Sequence, residues 1–150
     1  MAKGKTGVTL NWGGLDRVVG GAARSLADRR GLLRSVGETL VSSTVKRFRD
    51  GESPEGDPWD PSARAQQEGG VTLVDTARLR NSIGYATTTD AVLVGTSVEY
   101  AAIHQKGGQT GRNHAVTMPA RPFIGISAED KAEVGDLLAN HIAAAFGGKR

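Results

Sequence analysis

The sequence predicts an α+β domain, with a small antiparallel sheet packed against N-terminal helices and a C-terminal helix. Three observations carry that expectation. Short apolar runs at 8–12, 83–86 and 91–94 have the length and spacing of strands. Longer stretches, Leu15 to Phe48 and Val134 to Phe146, keep a helical period. Between them, Gly51 to Pro61 holds three prolines and two glycines, which rules out regular structure there. At 150 residues with neither repeat nor linker, the chain reads as one domain able to bury a core without staples.

Val8, Leu10 and Trp12 alternate with Thr9 and Asn11 as in a half-buried strand, which Gly13-Gly14 ends. Leu15, Val18, Val19, Ala22, Ala23 and Leu26 then share one helical face. A second stripe runs from Leu33 through Val36, Leu40, Val41, Thr44 and Val45 to Phe48. Gly31 either separates two helices or is a weak point in a single one. Lys46, Arg47 and Arg49 suit the negative end of that helix, and Gly51 is a natural stop.

In the Pro-rich loop over 51–61, Trp59 is the apolar member that pins an acidic turn to the body. Asp60-Pro61 is placed to start a short helix over 62–67. Asp75 or Thr76 is placed to cap another carrying Leu79 and Ile83. Ile83–Ala86 and Ala91–Val94, joined by four polar residues, form a hairpin. After a short segment ending in His104 and Gln105 comes a flexible Gly-rich loop at 105–118, whose residues 106–114 include no apolar side chain. Phe123-Ile124 reads as a further strand. Ser127, Glu129 and Asp130 open the last helix.

Composition narrows the function classes. A hydrophobic content of 38% with 21 glycines suggests a modest core, or one completed by association. Without cysteine there is neither a disulfide framework nor a thiolate metal site, which fits a reducing compartment. No apolar run approaches the roughly 20 residues of a membrane span, and Met1 to Gly7 lacks the apolar stretch of a signal peptide, pointing to the cytosol. The net charge of +3 is unevenly spread. Residues 1–50 hold ten Lys/Arg against four Asp/Glu, while 51–75 hold one against six, so opposite patches are available for head-to-tail pairing in a ring.

Sites of chemistry do not emerge. His104, His114 and His141 lack zinc-ligand spacing, and Glu52, Glu55, Asp57 and Asp60 do not fit a calcium loop. No nucleophile elbow is present, and Gly107 to Gly111 lacks the ending of a phosphate loop. Arg24, Arg29, Arg30, Arg34, Lys46, Arg47 and Arg49 form a basic face that is either solvated or passes non-specific DNA.

Four segments resemble successive motifs of the phage virion-morphogenesis proteins, the Mu-type tail-completion family. They are Asp50 to Pro61, Val74-Asp-Thr-Ala-Arg-Leu-Arg-Asn-Ser-Ile83, Val94-Gly-Thr-Ser-Val-Glu-Tyr-Ala-Ala-Ile-His-Gln105 and Pro119-Ala-Arg-Pro-Phe-Ile-Gly125, and the resemblance as a whole covers roughly residues 36–130. Where that family often has Gly, this chain has Ala77, expected here to be helical. The resemblance implies a non-enzymatic structural subunit without cofactor or metal, in a ring, commonly hexameric, at the head–tail junction or tail end. The alternative is a DNA-binding or capsid-assembly accessory protein. Implied partners are copies of itself, a neck or connector protein, the tail tube protein and passing phage DNA, with no membrane. The implied location is the host cytoplasm during assembly, then the virion. Under this resemblance Trp59, Leu79, Ile83, Val94, Tyr100, Ile103 and Phe123 determine the fold. Lys106, Gly107, Gly108, Gln109, Thr110, Arg112, Asn113 and His114 meet a neighbour. Arg121, between two prolines, is an interface residue or pairs with an acid such as Asp75.

Overall fold

A computed structural model of the protein describes residues 29–147. The strand expected at 8–12, the helix expected over 15–26 and Arg24 lie outside the described residues. From Arg29 the element order is α1 (Arg29–Asp50), α2 (Ala63–Glu68), α3 (Arg78–Asn81), β1 (Gly84–Thr87), β2 (Val92–Gly95), α4 (Ala101–Lys106), β3 (Gly108–Thr110), a 3-10 turn (Arg112–His114), β4 (Val116–Met118) and α5 (Ala128–Gly147). Two antiparallel two-stranded sheets, β1–β2 and β3–β4, accompany the helices, which makes the fold α+β as its sequence suggests.

The long helix α1 is the spine. It runs through Gly31 without a break and buries Leu32, Leu33, Val36, Leu40 and Phe48 along one stripe. That stripe meets the β1–β2 hairpin on one side and α5 on the other. Tyr85 pairs with Val94 and Thr87 with Val92, so Val92 and Val94 face the core while Leu93 faces solvent. The hairpin comes close to α1 at Gly37. A Cβ there would lie 2.3 Å from Cδ2 of Tyr85, so only glycine permits this crossing.

At the C-terminal end of α1, Phe48 meets Trp59 edge-on at 5.7 Å and Phe123 at 5.2 Å between ring centroids. Trp59 Nε1 donates to the Pro122 carbonyl at 2.9 Å, which ties the Pro-rich turn to the 119–125 segment. This is the pinning expected of a lone tryptophan. Ser62 caps α2 by accepting from Ala65 N–H at 3.1 Å. The helix thus starts at Ala63, with Ser62 rather than Asp60-Pro61 at its cap.

Four local expectations change. Ala77 is not helical: with φ 60° and ψ 9° it is left-handed and forms the N-cap of α3 without a side-chain bond. Neither Asp75 nor Thr76 is that cap; the Thr76 hydroxyl reaches the Arg78 N–H at 3.4 Å. Phe123 and Ile124 form no strand, because a side chain replaces the missing partner. Gln105 Oε1 accepts from both their N–H groups at 3.1 Å, and its Nε2 donates to Ile124 O at 2.9 Å. The Gly-rich run at 105–118 is likewise not irregular. Within it Gly108 faces Met118, Gln109 faces Thr117 and Thr110 faces Val116 in a closed hairpin. Polar residues conceal such strands because neither face is buried.

Candidate functional site

The β3–β4 hairpin is an arm with a fixed base. Gly107 has φ 69°, and a Cβ there would sit 2.7 Å from Ala120 N and 2.9 Å from Met118 O. Arg121 N–H donates to His104 O at 2.7 Å, joining the two ends of the arm to each other. Beyond that base the strands are exposed, and the tip holds Asn113 and His114 at φ 58° and 56°. Of the residues read as contacts, Lys106, Gly108, Gln109, Arg112, Asn113 and His114 are exposed and Gly107 and Thr110 are half-covered. No acidic residue occurs from Lys106 to Met118, so the arm is positively charged.

Arg121 does not belong with them. It is 4% exposed, and its Nε donates to Asp60 O at 2.6 Å with Nη2 near Pro61 O at 3.5 Å. Nor does it pair with Asp75, whose carboxylate lies 3.9 Å from Arg64. The guanidinium is spent on backbone carbonyls of the Pro-rich turn, an internal clamp rather than an interface group.

The basic face of α1 is also smaller than the residue types suggest. Arg47 is 5% exposed and donates to Asp130, to Phe123 O and Gly125 O at 3.1 Å each, and to Ser43 Oγ at 3.1 Å. It cannot face DNA. Lys46 lies 3.8 Å from Glu129, and Arg49 lies 3.0 Å from Asp50. Arg30 and Arg34 are exposed and Arg29 half-covered, leaving charge at the far end of the helix.

A cavity of about 390 Å³ opens beside the arm, between α2, α3 and α4. Arg64, Arg78, Tyr100, His104 and Arg121 contribute to its wall. Tyr100, expected in the core, is 40% exposed; it stands between the Arg78 guanidinium, 5.8 Å from its ring centre, and the His104 ring at 5.9 Å. Nδ1 of His104 is buried without a hydrogen-bond partner. Burial, then the nearby Arg121 charge, holds this imidazole below its ordinary pKa. Leu79, Ile83, Trp59 and Phe123, by contrast, lie in the buried core. Among the described residues no cluster of three His, Asp or Glu is arranged to hold a metal ion, and no helix is long and apolar enough to cross a membrane.

Fold and site together define a small α+β protein that carries an exposed two-stranded arm. Comparison gives that class its content. The chain belongs to the phage virion morphogenesis family, whose model matches residues 10–143. It is 38% identical over 112 residues to the Mu-like prophage FluMu G protein 2 of Haemophilus influenzae, spanning 75% of this chain and 77% of that one. Protein G of Escherichia phage Mu, whose name marks a proposed capsid assembly role, is 29% identical over 127 residues, 78% of this chain and 81% of the other. No solved structure matches significantly. Family and relatives together assign the chain a role in phage virion assembly.

Proposed function

We propose that this protein is a non-enzymatic structural subunit that closes into a homo-oligomeric ring, hexameric by the family resemblance, at the head–tail junction or head-proximal end of the tail. The β3–β4 arm carries the reading. A two-stranded hairpin left largely exposed has little stability of its own, and a neighbouring chain supplies the missing cover. Its pinned base presents it in one direction, toward an adjacent subunit, a connector protein or the tail tube protein. Phage DNA passing through the channel would meet the exposed basic residues without sequence readout.

Gly108 and Met118 are directly opposed, so Asn-Gly in place of residues 109–117 closes the chain without disturbing the anchors. That variant is expected to fold and to be incorporated poorly, leaving heads and tails unjoined. Normal yields of infectious tailed particles from it would remove the arm from assembly. Electron cryomicroscopy of virions tests the location: density for this chain elsewhere than the neck or tail end would overturn it. A DNA-binding accessory role now draws on Arg29, Arg30 and Arg34, because Arg47 is buried and Lys46 and Arg49 have acidic partners.

A further inference from the structure

We propose that the cation-lined cavity between α2, α3 and α4 receives the acidic turn Glu55-Gly56-Asp57 of a second copy of this chain, head to tail. This rests on the ring reading above and names its interface. The cavity side is short of negative charge. Three guanidiniums, Arg64, Arg78 and Arg121, line it against the one carboxylate of Asp75. Arg64 holds the carbonyls of Val71 and Val74, and Arg121 those of Asp60 and Pro61. Arg78 differs: it rests on the Tyr100 ring and has no carboxylate within ion-pair distance among the described residues. Arg78 is therefore the cation that suits an entering carboxylate.

The turn side has the opposite imbalance and is already rigid. Ser53, buried, accepts at Oγ from Glu55 N–H and Asp57 N–H, each at 3.2 Å, while its own N–H donates to Asp57 O at 2.8 Å. Gly56 N–H closes the turn on Ser53 O at 3.0 Å. Glu55 and Asp57 therefore stand exposed on a preformed loop, neither of them ion-paired among the described residues. The order lost on docking is small, which favours association. The turn borders a separate cavity that shares no lining residue with the basic one. Two different patches that fit each other make a heterologous contact, and such contacts generate rings where the rotation between subunits closes.

The test is sedimentation velocity on the full chain, with circular dichroism as a folding control. Arg78→Glu alone, and Glu55→Lys with Asp57→Lys, should each weaken association at least about tenfold. Mixing the two variants, or combining all three changes in one chain, should restore it, because the reversed charges again oppose each other. Raised salt should weaken the wild-type assembly as well. A wild-type ring indifferent to Arg78→Glu overturns this inference and leaves the ring. Loss in both variants without rescue overturns the pairing. A wild-type chain that is monomeric throughout removes the ring reading and this inference together. Loss of DNA retention in Arg78→Glu with the ring intact would reassign the cavity to phosphate.

Discussion

Arg47 and Asp130 form a buried ion pair that locks α1 to α5, and the same carboxylate starts α5. Asp130 Oδ2 accepts from the Arg47 guanidinium and from Ser127 N–H at 2.8 Å, while Ser127 Oγ accepts from Asp130 N–H at 3.0 Å. Both ion-pair residues are almost wholly enclosed, at 5% and 1% exposure. Removing one charge strands the other away from water, a change that costs about 3–5 kcal/mol. Asp130→Ala is therefore expected to remove about 3–5 kcal/mol of the roughly 5–15 kcal/mol that holds a domain together, read as a clearly lower urea midpoint. Arg47→Lys should also be costly, because an ammonium cannot span the carboxylate and the carbonyls of Phe123 and Gly125 together. A fully stable Asp130→Ala chain would show that the pair is dispensable.

Ala77 is the position where a glycine should help. At φ 60° its Cβ is strained, with a cost near 1–2 kcal/mol for an L-residue. Glycine relieves that strain but gains freedom in the unfolded chain, which offsets roughly 0.5–1 kcal/mol of the relief. The strain outweighs the added freedom, so Ala77→Gly should raise stability by about 0.5–1 kcal/mol in equilibrium urea unfolding. No change, or a loss, would mean that the left-handed cap carries little strain.

What the residue pattern revealed depended on whether burial followed periodicity. The α1 stripe, the β1–β2 hairpin and the Ser127 start of α5 are visible because apolar spacing or capping chemistry is written in adjacent side chains. Trp59 is visible for a related reason: a lone large aromatic in a polar turn has little choice but to bury itself. Arg121 and Arg47 escaped because their partners include backbone carbonyls distant in sequence, which residue types alone do not display. Gln105 escaped likewise, since an amide that substitutes for a strand looks like any polar helix end. The arm was hidden because short strands of Gly, Gln and Thr with both faces wet have no alternation to read. The cavity combines residues of separate short elements, and His104 alone gave no hint of Arg78 beside Tyr100.

Gly37 and Tyr85 test whether the helix–hairpin crossing depends on a missing methyl. A Cβ at Gly37 would approach Cδ2 and Cγ of Tyr85 to 2.3 and 2.5 Å. Cγ is the inner end of the ring, so turning the ring about χ2 gives no relief, and escape requires a new χ1 for Tyr85 or a shift of β1. Overpacking of this kind costs about 1–3 kcal/mol, against a gain near 1 kcal/mol from alanine's helix propensity. Gly37→Ala should accordingly destabilise by up to about 2 kcal/mol. In a Tyr85→Ala background the clash is gone, and the same change should become neutral or stabilising. A double-mutant cycle that came out additive would refute the close crossing.

His104 should give the protein a specific acid sensitivity. Burial first, and then the Arg121 charge, lowers its folded-state pKa, while the unfolded chain keeps a value near 6.5. Arg64, Arg78 and Asp75 share the cavity and Tyr100 packs on the ring, so the surroundings carry more positive than negative charge. Between the two pKa values the unfolded state binds more protons than the native state, and stability must rise with pH there. The contribution of neutral His104 is thus present above about pH 6.5 and is lost as pH falls from there toward the lower folded value. Unfolding curves for wild type and His104→Gln at several pH values isolate this residue from His114 and His141. The stability difference between wild type and variant should shift toward the variant on acidification. A difference that stays constant from about pH 7.5 to about pH 5 would show that the imidazole titrates alike in both states.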